Sequence, residues 1–123
     1  MFLSFSLDCP MNLGLQNYGI SDSQISASSV HTILLSAAYA RLNLQKVPGG
    51  SSGGWKADGS DQKPWIQVDF REQVSVNEIK TQGRNDVNNY VKRYTVSYSN
   101  AGSVFQYYKE NGEIKVIFKV LLL

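Results

Sequence analysis

Apolar and polar residues alternate along much of the second half of the chain. In residues 65–70, the apolar Ile66, Val68 and Phe70 are separated by single polar residues. A period of two places alternate side chains on opposite faces, which is typical of a half-buried antiparallel strand. The same alternation recurs in two further segments, residues 74–82 and 91–99. The pattern therefore predicts several short strands.

Turn signals separate the later strands. Asn100-Ala101-Gly102 follows one alternating segment, and Asn111-Gly112 lies between the apolar stretches 105–108 and 114–118. The dipeptide Asn-Gly readily adopts the positive φ angles of a tight hairpin. Short strands joined by such turns predict an all-β sandwich or barrel.

Residues 22–44 have a different period. Apolar residues recur there at three- and four-residue spacings, at Val30, Ile33, Leu34, Ala37 and Ala38. They follow Ser28 and Ser29, which are favourable N-cap residues, so the spacing predicts an amphipathic helix. Residues 46–61 contain five Gly, one Pro and several Ser, and predict a long loop in which Trp55 is the anchor.

Composition narrows the function classes. The chain has 123 residues, 42% of them apolar and 18% charged, which suits one folded domain. A formal net charge of +2 without a Lys/Arg block argues against a nucleic-acid partner. A single Cys and a single His, Cys9 and His31, exclude a zinc site built from several such ligands. Residues 1–7 lack a positively charged region and correspond at most to a signal-peptide remnant.

A succession of short motifs runs through most of the chain. In order, these are Leu13-Gly14-Leu15, Ile20 with residues 21–29, Ala40-Arg41-Leu42-Asn43, Gly54-Trp55-Lys56-Ala57, residues 65–70, Lys80-Thr81-Gln82-Gly83-Arg84 and Tyr90-Val91-Lys92. Together, their order and spacing resemble the discoidin domain, also called the coagulation factor V/VIII type C domain. The resemblance extends from about residue 9 to residue 116.

The resemblance implies an all-β fold, an eight-stranded antiparallel jelly-roll β-sandwich of the galactose-binding-domain-like type. It also implies loops at one end that bind phospholipid head groups, glycans, collagen or other extracellular partners, with no catalytic activity. Members open with a Cys that bridges to a closing Cys. Cys9 matches the opening one, and its disulfide partner is absent from this chain.

The last residues depart from the family pattern, which continues with two more strands. We therefore expect an N-terminal stump over residues 1–8, a discoidin-like domain over 9–116 that lacks the last strands, and a non-family apolar tail over 117–123. Two alternatives stay open. In one, the tail replaces a lost strand or dimerises the domain; in the other, the chain is a non-functional fragment of a larger adhesion protein.

Three loops correspond to the family's binding end, and we call them loop 1 (residues 31–35), loop 2 (46–50) and loop 3 (84–89). The expected ligand-binding residues are His31, Ile33, Leu34, Leu35, Lys46, Val47, Arg84, Asn85, Asp86 and Asn89. The apolar residues of loop 1 would lie in water unless they enter a bilayer or a partner. Burying each contributes about 1.5–3 kcal/mol. The alternative is that they face inward as one side of a helix.

The charged and polar loop residues suggest two kinds of ligand. Lys46 and Arg84 would attract an anionic head group. The guanidinium, amides and carboxylate of loop 3 would instead hydrogen-bond sugar hydroxyls or an acidic side chain, unless the loop is simply a solvated turn. His31 alone is more typical of a surface residue than of a ligand.

Four other features have structural explanations. Trp55 and Trp65 lie in motifs of the fold, so core packing is expected before sugar stacking. Arg41 and Asp69 are expected to form a structural ion pair. We expect a plain turn at Asp58-Gly59-Ser60-Asp61, and a calcium site is the weaker alternative.

The leading hypothesis is a non-catalytic, extracellular adhesion module that recognises glycans or protein ligands through the three loops. The second is peripheral binding to anionic phospholipid membranes through the tip of loop 1. An enzyme would need two carboxylates in one cleft, and the sequence places no such pair among Asp58, Asp61, Asp69 and Asp86. We expect no cofactor.

Overall fold

The computed structural model describes residues 4–6, 14–15, 17–84 and 86–118, with residues 4–6 and 118 described by backbone alone. It divides into two compact units, residues 1–90 and residues 91–123. The strands of the first unit are β1 (Ser4–Ser6), β2 (Ile25–Ala27), β3 (Ile66–Val68) and β4 (Glu78–Lys80). Those of the second are β5 (Arg93–Thr95), β6 (Ser97–Tyr98), β7 (Gln106–Tyr107), β8 (Lys109–Glu110), β9 (Glu113–Ile114) and β10 (Val116–Phe118).

Each strand pairs antiparallel with one partner. The pairs are β1–β4 and β2–β3 in the first unit, and β5–β10, β6–β7 and β8–β9 in the second. The prediction of short antiparallel strands is therefore confirmed. The part of the chain that the structure describes forms two-stranded sheets and not the full sandwich that the resemblance implied.

The β2–β3 pair confirms the alternating pattern of residues 65–70. Ile66, Val68 and Phe70 all lie against the apolar core of the first unit. Two backbone bonds extend the pairing beyond the strands, from Ser28 N to the Trp65 carbonyl at 3.0 Å and from Asp69 N to the Gln24 carbonyl at 2.8 Å. The strands are short, but their hydrogen-bonded contact is longer than either strand.

The predicted amphipathic helix is wrong. The described residues of this segment form β2 and three single 3₁₀ turns, Asp22–Gln24, Ile33–Leu35 and Ala37–Tyr39. Ser36 separates the last two turns because its backbone is extended (ψ 157°) and its side chain accepts a hydrogen bond from Ala38 N. Ser28 caps no helix, since its hydroxyl donates to Asp61 Oδ2 at 2.6 Å.

Residues 46–61 contain no strand or helix, which confirms the predicted loop. Trp55 anchors it: the side chain is buried in the core, and Nε1 donates to the Ser29 carbonyl at 3.0 Å. The expectation for Trp65 is wrong, because about half of that residue is exposed. Its backbone pairs with Ser28, and this contact orients the chain without burying the indole.

Arg41 is the largest fully buried side chain among the described residues. Its Nη1 donates to the Leu15 carbonyl at 2.8 Å, and its Nη2 donates to Asp22 Oδ1 at 2.6 Å. The guanidinium carbon lies 4.3 Å from the centre of the Tyr18 ring, within range of a cation–π contact. The predicted ion pair with Asp69 is wrong: Asp22 is the partner of Arg41.

The second unit contains the predicted hairpin. Asn111 and Gly112 both have positive φ angles, 51° and 82°, and they connect β8 to β9. A two-residue turn with this backbone matches the right-handed twist of the flanking strands. The Asn-Gly prediction is therefore confirmed, although the strands next to the turn have only two residues each.

Several expectations lie outside the described residues. Cys9 and Asn85 are among them, as are most of residues 1–8 and of the tail over 117–123. Within the described part, no helix has the length and apolar character needed to cross a membrane.

Replacing Arg41 tests its role in the first unit. We expect Arg41→Met to lower the free energy of unfolding by about 1–3 kcal/mol, because it retains the apolar stem but leaves the buried Leu15 carbonyl without its donor. Asp22→Asn retains an acceptor for Arg41 and should cost less. Urea denaturation of both variants checks this order, and an Arg41→Met protein as stable as the parent would contradict it.

Candidate functional site

The structure brings the three predicted loops together within the first unit. Ser52 N, just after loop 2, donates to the Leu34 carbonyl of loop 1 at 2.8 Å. The Lys46 Nζ of loop 2 lies 3.4 Å from Asp86 Oδ2 of loop 3. Loop 2 and the residues just after it therefore connect loops 1 and 3.

Loop 1 exposes two of its three large apolar residues. Ile33 is 84% exposed and Leu34 is 41% exposed, whereas Leu35 is buried. The backbone explains the difference: Leu35 N donates to Thr32 O, and Leu35 O accepts from Lys56 N. These hydrogen bonds hold the backbone of Leu35 in place and leave Ile33 at the outer side of the turn. The tip therefore exposes two large apolar residues and not the three that were expected.

Loop 2 is a compact turn with one apolar residue at its surface. Val47 N donates to the Ser51 carbonyl at 2.8 Å, and Gly50 N donates to the Val47 carbonyl at 2.9 Å. Val47 is 54% exposed, and the neighbouring Lys46 side chain is 55% exposed. The turn fixes the backbone so that both side chains reach solvent.

Loop 3 is closed at its base by a hydrogen bond from Arg84 N to the Asn89 carbonyl at 3.0 Å. Gly83 permits this close approach, since a Cβ there would lie only 3.0 Å from the same carbonyl oxygen. The loop exposes Val87, at 43%. Sequence reasoning missed Val87, because it relied on the run of three apolar residues in loop 1 and Val87 is a single apolar residue among polar ones.

A charged cluster lies between loops 2 and 3. Asp86 Oδ2 accepts from Arg84 Nη2 at 2.7 Å and also faces Lys46. The Arg84 and Asp86 side chains are both mostly buried. Burial by itself raises the pKa of Asp86, but hydrogen bonds from Arg84 and Lys46 outweigh it and hold that pKa below its ordinary value. The carboxylate is therefore ionised at neutral pH, and two cations share it.

The remaining predicted site residues have different surroundings. His31 is exposed, and its backbone N donates to the Lys56 carbonyl. Asn89 is exposed, and its backbone carbonyl closes loop 3. Both lie in the loops expected to bind ligand, and their role in binding stays a prediction.

The segment from Asp58 to Asp61 forms a hydrogen-bonded turn. Asp58 Oδ1 accepts from both the backbone N and the hydroxyl of Ser60. Asp61 Oδ2 accepts from the Ser28 and Ser29 hydroxyls, each at 2.6 Å. In the described residues, no group of three or more His, Cys, Asp or Glu side chains is placed to hold a metal ion. These hydrogen bonds show that the segment forms a turn.

Comparisons with known proteins match most of the chain. The family model for the F5/8 type C domain matches residues 24–119. Coagulation factor VIII of Canis lupus familiaris is 38% identical over 113 residues, covering 88% of this chain and 5% of that protein. EGF-like repeat and discoidin I-like domain-containing protein 3 of Homo sapiens is 35% identical over 111 residues, covering 85% and 22%.

Lactadherin of Rattus norvegicus is 36% identical over 107 residues, covering 85% of this chain and 25% of that protein. The chain thus spans between 5% and 25% of the length of these curated relatives.

The hydrogen bonds to Asp61 predict how the stability of the protein depends on pH. Hydrogen bonds from Ser28 and Ser29 hold the pKa of Asp61 below its ordinary value, against the opposing effect of burial. A lowered pKa stabilises the fold above the unfolded-state value of about 3.9, and this contribution is lost as the pH falls through the folded-state value. Asp61→Asn should therefore be less stable than the parent at pH 7, with a smaller difference at pH 3.

Thermal unfolding of both proteins between pH 7 and pH 3 measures the difference in their stability. Millimolar calcium should leave both melting temperatures unchanged if the segment is a plain turn. A stability difference that stays constant down to pH 3, or a calcium-dependent melting temperature in the parent alone, would contradict the hydrogen-bonded turn.

Proposed function

Because the chain belongs to the F5/8 type C, or discoidin, domain family of non-catalytic binding modules, we propose that it docks on anionic phospholipid membranes through its three loops. The family resemblance read from the sequence is confirmed. We further propose the family's jelly-roll sandwich as the architecture of the complete module. The short antiparallel pairs of both units are compatible with it.

The exposed apolar side chains of the three loops carry this proposal. Ile33 and Leu34 from loop 1, Val47 from loop 2 and Val87 from loop 3 are all exposed within the first unit. Such side chains gain free energy on leaving water, about 1.5–3 kcal/mol for a fully exposed one and less for a partly exposed one. Several must act together to overcome the cost of association. The contacts between the loops bring these apolar side chains close together.

Charge near the loops favours an anionic surface. Lys46 and Arg84 share the single carboxylate of Asp86, so the cluster has a net charge of +1. A basic side chain at an anionic membrane surface contributes about 1 kcal/mol. The apolar tips and the excess positive charge occur in adjacent loop positions, and both fit a phospholipid surface.

A glycan or a protein ligand is the competing proposal. It relied on free polar groups in loop 3, but Arg84 and Asp86 pair with each other and are mostly buried. Among the described candidate residues, Asn89 and His31 stay exposed and could supply polar contacts. The geometry therefore supports the membrane proposal better than the glycan or protein proposal.

We also propose that the module acts outside the cell, on a secreted or cell-surface protein. Its similarity to a coagulation factor and to a protein with EGF-like repeats supports this placement.

Vesicle co-sedimentation tests the membrane proposal. We expect Ile33→Asp to weaken binding to vesicles of phosphatidylcholine and phosphatidylserine by at least about tenfold, because the variant loses the transfer of one large apolar side chain. Val104→Asp is the matched control: Val104 is 76% exposed but lies in the second unit, outside the three loops. It should bind like the parent.

Equal binding by the parent and Ile33→Asp would exclude insertion by loop 1. A glycan array then tests the competing ligand class, with Asn89→Ala as the loop 3 variant. Retained vesicle binding by Ile33→Asp together with lost glycan binding by Asn89→Ala would replace the membrane proposal with the glycan one.

A further inference from the structure

The Asp86 carboxylate makes two unequal contacts. Its Oδ2 is 2.7 Å from Arg84 Nη2 but 3.4 Å from Lys46 Nζ. Arg84 is mostly buried beside it, whereas more than half of the Lys46 side chain is exposed. Arg84 is thus a fixed partner, while Lys46 makes the longer contact and has room to turn away.

Both ends of the longer contact adjoin apolar tips. Lys46 directly precedes Val47, and Asp86 directly precedes Val87. Each tip is exposed, so insertion of loops 2 and 3 into a membrane would bring lipid head groups to the level of the Lys46–Asp86 pair. An anionic head group there presents the same kind of acceptor to Lys46 as the carboxylate of Asp86.

We infer that Asp86 is an internal competitor for Lys46, and that it sets how much anionic lipid a membrane must contain before this module binds. This inference rests on the proposed membrane function. In the unbound protein Lys46 contacts Asp86, and at a membrane an anionic head group replaces that contact. Arg84 keeps Asp86 in place throughout, so the competition involves Lys46 alone.

Asp86→Asn tests the competition, and Glu78→Gln is a matched control. The Lys80–Glu78 pair of β4 has a similar separation of 3.3 Å and lies outside the loops. Both substitutions change the net charge by the same amount, so a difference between them reports on position. On vesicles with one-fifth phosphatidylserine, Asp86→Asn should bind about fivefold more tightly than Glu78→Gln, the gain expected for one released cation.

The phosphatidylserine fraction that gives half-maximal binding should also fall for Asp86→Asn. Pure phosphatidylcholine vesicles should show no such gain. Equal binding by the two variants on anionic vesicles, or an equal gain on neutral ones, would overturn the inference.

Asp86→Asn both releases Lys46 and removes a negative charge, and the Lys46→Met substitution distinguishes these two effects. In the Lys46→Met background, the gain from Asp86→Asn should shrink to less than about twofold, because the cation that it releases is gone. An undiminished gain would show that the negative charge of Asp86 or its contact with Arg84, and not its hold on Lys46, limits binding, and would overturn the inference. Lys46→Met leaves the Arg84–Asp86 contact intact, so it remains informative if Asp86→Asn melts at a lower temperature.

The outcomes distinguish this inference from the function on which it rests. Vesicle binding that depends on Ile33, combined with equal affinities for Asp86→Asn and Glu78→Gln, would remove the competition and keep the membrane function. A parent protein that does not bind anionic vesicles would remove both.

Discussion

The guanidinium of Arg41 joins parts of the first unit that are distant in sequence. It contacts the Leu15 carbonyl, the Asp22 carboxylate and the Tyr18 ring from a fully buried position. A buried cation is tolerated only where such partners surround it, because the desolvation cost is otherwise too high. Ala40, the residue before Arg41, belongs to the apolar core, so the ionic contacts and the core hold the same short segment.

The segment that contains Arg41 is also linked to the loops. Two residues after Arg41, Asn43 N donates a hydrogen bond to Gln82 Oε1 at 2.9 Å, close to the base of loop 3. The next residues lead into loop 2, whose Lys46 faces Asp86. The three loops are therefore connected to the buried part of the unit through a few short segments. Their apolar tips remain exposed because the adjacent backbone is held in place.

Local patterns predicted the local structure well. The period of two identified β3, and Asn111-Gly112 identified the β8–β9 turn, because both signals act through neighbouring residues. The helix prediction failed because the spacing of apolar residues is similar in two successive 3₁₀ turns and in one α-helix. The extended backbone of Ser36 is what distinguishes them. The prediction of the partner of Arg41 failed for another reason: sequence alone did not indicate whether Asp22 or Asp69 would lie beside it.

The candidate site was predictable to a similar degree. Exposure of Ile33 and Leu34 followed from apolar residues in a loop, but burial of Leu35 depends on its contact with Lys56, twenty-one positions further along the chain. Arg84 and Asp86 are close enough in sequence for their pairing to be anticipated. The contact between Lys46 and Asp86 depends on how two separate loops fold together.

The extended contact between β2 and β3 has a consequence for slow opening motions. Backbone bonds from Ser28 to Trp65 and from Asp69 to Gln24 lie beyond the two ends of the ladder, so its inner amides are not at frayed ends. Amides paired this way beside an apolar core exchange with deuterated solvent only when a larger part of the structure opens. The most persistent deuterium protection in the first unit should therefore lie along this ladder and not at the exposed tips.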